Sequence, residues 1–204
     1  VTEEREQRIR KVLHNRQADL CIVLENVDDP HNIMAVSRSC DAVGIQEIHV
    51  VKSKTIDQFQ GRKSSSSANK WVDFKLHTDI HSCYSSLRKH GFKILCTHLT
   101  AEAKGIHDTD FCEKVAIVFG NEKDGVSEEA LNGADGNLVI PQVGMIKSLN
   151  ISVACAVTLY EAYRQRENAG FYSHPRLNDD ELKSIFDRWS QNKTQRKNGK
   201  DHHI

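Results

Sequence analysis

From residue 20 onward the chain alternates between short apolar runs and longer mixed segments. The runs are CIVLENV, IQEIHVV, WVDFKL, FKILCTHL, VAIVF and NLVI, four to eight residues each. Runs of that length, rich in Val and Ile, are buried strands. Between several of them apolar residues recur at helical spacing, near 32–43, 79–90 and 127–133. Strands alternating with helices predict an α/β domain with a mainly parallel sheet and helices on both faces. A helix over 3–16 precedes this unit, with Ile9, Val12 and Leu13 as a narrow apolar stripe. Residues 150–168 form the most apolar helical segment, which on its pattern is buried on nearly every side and ends near Gly170. A last helix, roughly 178–191, gathers Leu182, Ile185, Phe186 and Trp189 on one face. The Ser-rich connection KSKTIDQFQGRKSSSSANK reads as a surface loop, and the tail NKTQRKNGKDHHI as disordered. The expected division is 1–17, 18–168 and 169–204.

Three segments carry more than scaffold. In NVDDPHNIMAVSRSCDAVG a strand ends at Val27 and Asn32 is placed to cap a helix that Gly44 terminates. Ile33, Val36, Cys40 and Val43 share one face of it. Arg38 lies nearly opposite, with small Ala35 and Ala42 on its side, which suggests a second contact face. In VAIVFGNEKDGVSEEAL the strand stops at Gly120, where a glycine lets backbone approach a ligand. Asn121 and Glu122 follow at the carboxyl end of the strand, the usual binding edge of an open sheet. Ser127 then caps a helix. In IPQVGMIKSLNISVACAVTLYEA, Pro141 and Gly144 bend the chain, and Ser148-Leu149-Asn150 stand at the mouth of the apolar helix. Asn150 can cap it, and its free amides can hold a polar ligand. Each segment taken singly also fits an ordinary turn or capped helix.

Charge sharpens the picture. The formal net charge of +0 hides five Lys/Arg against three Asp/Glu in residues 1–16 and nine against six in 163–204. The middle holds fourteen against nineteen. Basic ends around an acidic body suit a polyanion, or simply solvated helices. No stretch nears the ~18 apolar residues of a membrane span, and the charged start lacks a signal-peptide core. The six cysteines show no Cys-x-x-Cys and read as buried free thiols in a reducing cytoplasm. Neither a phosphate-binding Gly-Lys-Ser/Thr loop nor a G-x-G-x-x-G fingerprint occurs. His77 and His81 have helical ligand spacing but no third ligand in sequence, so no metal site is expected there.

Taken together and in order, the three segments resemble the SpoU/TrmH family of SPOUT-class RNA ribose methyltransferases, over about residues 5–172. NRQADLCIVLENVDDPHNIMAVSRSCDAVGIQEIHVV and SLNISVACAVTLYEAYRQRENAGFY are most similar to the branch that methylates a D-loop guanosine of tRNA. The resemblance implies a deep C-terminal trefoil knot, although knots are rare among folds. It implies S-adenosylmethionine bound bent within the knot, a homodimer with active sites near its interface, and terminal helices that hold tRNA. Asn32, Arg38, Glu122, Ser148 and Asn150 match the polar motif positions, with Arg38 acting on the ribose hydroxyl. Thr97, Leu99, Gly120, Ile140 and Leu149 fall where the family grips the cofactor. Arg5, Arg8, Arg16, Arg164 and Arg166 match positions tied to tRNA. No metal is expected, because the sulfonium donor carries its own activation. Met34 and SSSSANK depart from the family pattern. The same chemistry on ribosomal RNA or another tRNA nucleoside remains the rival reading. A silent RNA-binding dimer is the other, which intact Arg38, Glu122, Ser148 and Asn150 oppose.

Overall fold

The computed structural model describes residues 1–51, 70–100, 102–146 and 148–191. The Ser-rich connection, apart from Lys70, and the basic tail therefore lie outside the described residues. In chain order the elements are α1 (Glu3–His14), β1 (Leu20–Glu25), α2 (Pro30–Ala42), β2 (Glu47–Val51) and β3 (Asp73–His77). There follow α3 (Ile80–Lys89), β4 (Lys93–Thr97), β5 (Lys104–Gly105), β6 (Val115–Phe119), α4 (Glu128–Gly133), β7 (Gly136–Val139), α5 (Ile151–Asn168) and α6 (Asp179–Ser190).

All seven strands are parallel, in the order β3-β2-β1-β6-β4-β7-β5. Every residue of β1 and β6 is buried, which is why both read as unbroken apolar runs. The period-two alternation divides them between two cores. Leu20, Ile22 and Leu24 pack with Ile33, Val36 and Cys40 of α2 and Ile151, Cys155 and Leu159 of α5. Cys21 and Val23 pack with Ile80, Cys83, Tyr84 and Leu87 of α3 and Ala130 of α4. Helices therefore cover both faces. The two-residue β5 left no apolar pattern to read.

From β1 the chain builds outward to β2 and β3, then returns to the other side of β1. The reversal lies between β1 and β6, and a crevice opens at the carboxyl ends of strands where such a reversal occurs. Strand β7 lies between β4 and β5, two earlier strands joined by the 98–103 connection. α1 and α6 share a third cluster of Ile9, Leu13, Leu177, Ile185 and Trp189. The first and last described helices thus form one small module. Among the described residues no helix is long and apolar enough to cross a membrane.

Candidate active site

Three turns at the carboxyl ends of β1, β6 and β7 converge through hydrogen bonds. α2 starts earlier than the sequence pattern predicts. Asp29, not Asn32, is its N-cap, accepting from His31 N at 2.9 Å, and Pro30 takes the first turn. Proline is favoured there because its fixed φ suits the helix and its missing donor would be unpaired anyway. Freed from capping, the Asn32 side-chain amide donates to Asp29 Oδ2 at 3.1 Å and to Glu122 Oε1. Its oxygen accepts from Asn150 Nδ2 at 3.2 Å. Asn150 is the N-cap of α5, with Oδ1 accepting from Ser152 N at 2.9 Å. Asn32, Glu122 and Asn150, far apart in sequence, thus form one network.

Gly120 is required here by the chain itself. A Cβ at that position would lie 1.9 Å from the carbonyl carbon of Gly125. The glycine admits the returning 121–125 turn, which Asn121 Oδ1 braces by accepting from Lys123 N and Asp124 N. Beneath this turn is a residue the motif reading missed. Glu25, 1% exposed at the end of β1, accepts from Ser127 N at 2.8 Å and Ser127 Oγ at 2.6 Å. Its signal was visible in the sequence: a carboxylate inside the apolar run CIVLENV.

Other expected residues lie apart from this network. Arg38 is exposed. Six residues beyond Asn32, it stands about 9 Å along the helix axis and about 120° around it. Ser148 is exposed and Leu149 half-buried. Thr97 Oγ1 donates to Val118 O at 3.0 Å, so that hydroxyl joins β4 to β6. Leu99 is 76% exposed, beside the buried and unpartnered hydroxyl oxygen of Thr100. Met145, 99% exposed, and Ile146 lie on the loop after half-buried Ile140. Apolar side chains beside an orphaned buried oxygen suit a ligand with a flat apolar base and polar edges, and S-adenosylmethionine has that character.

α5 corrects the expectation of burial on nearly every side. Ile151, Cys155, Leu159 and Ala162 are buried, but Val153, Val157 and Tyr160 make an exposed stripe.

Two of the five arginines expected to bind RNA are structural instead. Arg16 and Arg166 are both 0% exposed. Arg16 donates to Asp41 Oδ1 at 2.6 Å and to the carbonyls of Ile45 and Trp71, each at 3.0 Å. Arg166 donates to Phe111 O, Gln17, Asp19 and Glu113 O. A guanidinium so enclosed has no face for a phosphate. Arg164 is exposed but held by Glu161 at 2.7 and 3.0 Å. That contact, with Gln165 and His107 adding to it, holds the Glu161 carboxyl down at about 2. Arg5 and Arg8 are exposed and line a cleft of about 500 Å³ with Trp71 and Trp189.

A family model described as SpoU rRNA Methylase family matches residues 19–160. A tRNA (guanosine(18)-2′-O)-methyltransferase of Thermus thermophilus is 44% identical over 92% of this chain and 96% of its own length. The crystal structure of a TrmH/SpoU tRNA modifying enzyme from A. aeolicus superposes with a TM-score of 0.81. It is 36% identical over 92% of this chain and 95% of that one. An AdoMet-bound rRNA methyltransferase from Sinorhizobium meliloti gives a TM-score of 0.63 at 25% identity, over 76% of this chain and 59% of that one.

Proposed function

This chain belongs to the SpoU methylase family, and we infer from that premise that it methylates the ribose 2′-hydroxyl of a D-loop guanosine in tRNA, using S-adenosylmethionine. The observation that carries the reading is the Asn32–Glu122–Asn150 network, which locks all three motif turns together at the reversal of the sheet. The Thermus relative, similar over nearly the whole of both chains, favours tRNA over ribosomal RNA. In this reading the enzyme is cytoplasmic, where its tRNA substrate is found.

Leu99, Ile140 and Leu149, with Thr97 and the Gly120 main chain, would hold the cofactor at the turns that follow β4, β6 and β7. When bound, it would supply a methyl group already activated by a sulfonium, leaving as the neutral thioether S-adenosylhomocysteine, with the ribose hydroxyl proton passing to solvent. The chain's own task is alignment, an effect worth on the order of 7–11 kcal/mol at best. Asn32, Glu122 and Asn150 fix the turns that shape the pocket, and Ser148 borders it. Arg38 supplies a planar fork of donors for a phosphate or for charge developing on the ribose oxygen. A guanidinium is a poor proton acceptor, so this role is preferred over general base.

The separation of Arg38 from the network within one chain is accounted for by a homodimer whose second copy completes the site. The exposed stripe Val153, Val157 and Tyr160 supplies its apolar face. The chain leaving β7, enclosed between β4 and β5, threads the C-terminal knot. The terminal module holds tRNA through Arg5 and Arg8, with Arg164 assisting if it exchanges Glu161 for a phosphate.

Unmodified tRNA incubated with labelled S-adenosylmethionine should carry label on one D-loop guanosine ribose. Unlabelled tRNA, with label entering ribosomal RNA incubated in parallel, would select the rival substrate. Arg38→Lys keeps charge but loses the fork. It should abolish single-turnover methylation while calorimetric affinity for S-adenosylmethionine stays unchanged, and near-normal turnover would remove Arg38 from the chemistry.

A further inference from the structure

His49 and His77, which the motif reading left without a joint role, meet a cysteine at the edge of the sheet farthest from β7. His49 sits in the middle of β2, 5% exposed, and its Nδ1 lies 2.9 Å from Nε2 of His77 at the end of β3. The imidazole planes differ by only 7° with centroids 5.1 Å apart. With so short a nitrogen contact, the rings meet edge to edge and not face to face. Cys83 Sγ, wholly buried on α3, lies 3.9 Å from the same Nδ1. These three donor atoms all fall within 4.8 Å of one another. On the outer side of His49, Glu47 Oε2 is 4.0 Å from Nε2, while its other oxygen pairs with Lys75 at 3.1 Å.

We propose that His49 Nδ1, His77 Nε2 and Cys83 Sγ form a binding site for a zinc-class divalent ion, with a solvent molecule as fourth ligand on the half-exposed side of His77. Two imidazoles and a thiolate suit a borderline ion in tetrahedral coordination. Bonds of about 2.0–2.1 Å to nitrogen and 2.3 Å to sulfur place tetrahedral donors roughly 3.3–3.6 Å apart. To close on an ion the nitrogens open from 2.9 Å, the sulfur closes from 3.9 Å on His49 and from within 4.8 Å on His77, and both rings swing so that nitrogens now facing each other converge on one point. Burial keeps both histidines in the neutral form that ligates, with His49 lowered to about 4 and His77 also lowered. The thiol is pushed up to about 12 by the same burial. The ion takes the place of the thiol proton, which leaves to solvent. The site joins β2, β3 and α3 and does not depend on the methyltransferase reading; the role it offers is a structural clamp.

The purified full chain, reduced and freed of metal by chelation, is titrated with Co²⁺. One ion per chain should bind with a thiolate-to-cobalt charge-transfer absorption, and added Zn²⁺ should bleach it. Cys83→Ser should remove the absorption, while Cys112→Ser at a half-exposed position should leave it intact. His77→Gln, at a half-exposed edge position that should tolerate change, should weaken Co²⁺ binding by more than about tenfold with an unchanged circular dichroism spectrum. No charge-transfer absorption, an absorption that survives Cys83→Ser, or undiminished affinity in His77→Gln would overturn the proposal and leave a hydrogen-bonded histidine pair only.

Discussion

Arg166 donates five hydrogen bonds from a fully buried side chain, the full donor capacity of a guanidinium. Asp19 accepts from it on one side and from Arg176 on the other. Removing one partner of such a cluster leaves uncompensated buried charge, so Arg166→Ala should cost about 3–5 kcal/mol of stability in chemical denaturation. Arg8→Ala should leave stability nearly unchanged but lower tRNA affinity and reduce the salt slope by about 1. A folded Arg166→Ala protein with a reduced slope would return that residue to the RNA surface. Burial alone would raise the Asp19 carboxyl, but Arg176 and Arg166 together hold it below its ordinary value of 3.8. A depressed folded value stabilises fully above the ordinary one, and that contribution is lost as pH falls through the folded value. Denaturation midpoints should therefore drop on acidification below 3.8, and Asp19→Asn should flatten that acid limb.

At the scale of elements, helix starts govern the site. Asp29, Ser127 and Asn150 cap α2, α4 and α5, and those starts are the ends of the three motif turns. Asn150 both caps α5 and donates to Asn32. Asn150→Ala should cost about 1 kcal/mol of stability from the lost cap. It should also weaken S-adenosylmethionine binding, because Asn32 loses the partner that fixes it. A thermal-shift and calorimetry pair checks both, and an unchanged cofactor affinity would show that the network does not shape the pocket. The Ser127 and Asn150 caps were legible because Ser127 precedes an acidic first turn and Asn150 an apolar helical run. The Asp29 cap was obscured: Asp28, Asp29 and Asn32 are all competent caps, and Pro30 decides among them only by taking the first turn. β5 was illegible because two residues carry no period.

For the whole molecule, the unfinished surface is the exposed face of α5. Val153, Val157 and Tyr160 recur at four- and three-residue spacing on one side of a helix whose other side is core. If the proposed homodimer packs through this face, Val157→Asp should give monomers in analytical ultracentrifugation and abolish methyl transfer, while the secondary structure is retained. A dimer unaffected by this change would place the interface elsewhere. The sequence by itself determined the alternation of strands and helices, the apolar runs that became strands, and the three segments that bear the candidate site. These are local properties: the period of apolar residues and the chemistry of caps and turns are written in neighbouring positions. Only the tertiary structure decided that Arg16 and Arg166 are internal brackets while Arg8 faces solvent, and that Asn32 bridges Glu122 to Asn150. It alone set His49 against His77 and Cys83. A side chain's partner across the fold depends on strand order and helix docking, and an arginine carries the same charge whether it will meet a phosphate or a buried carbonyl.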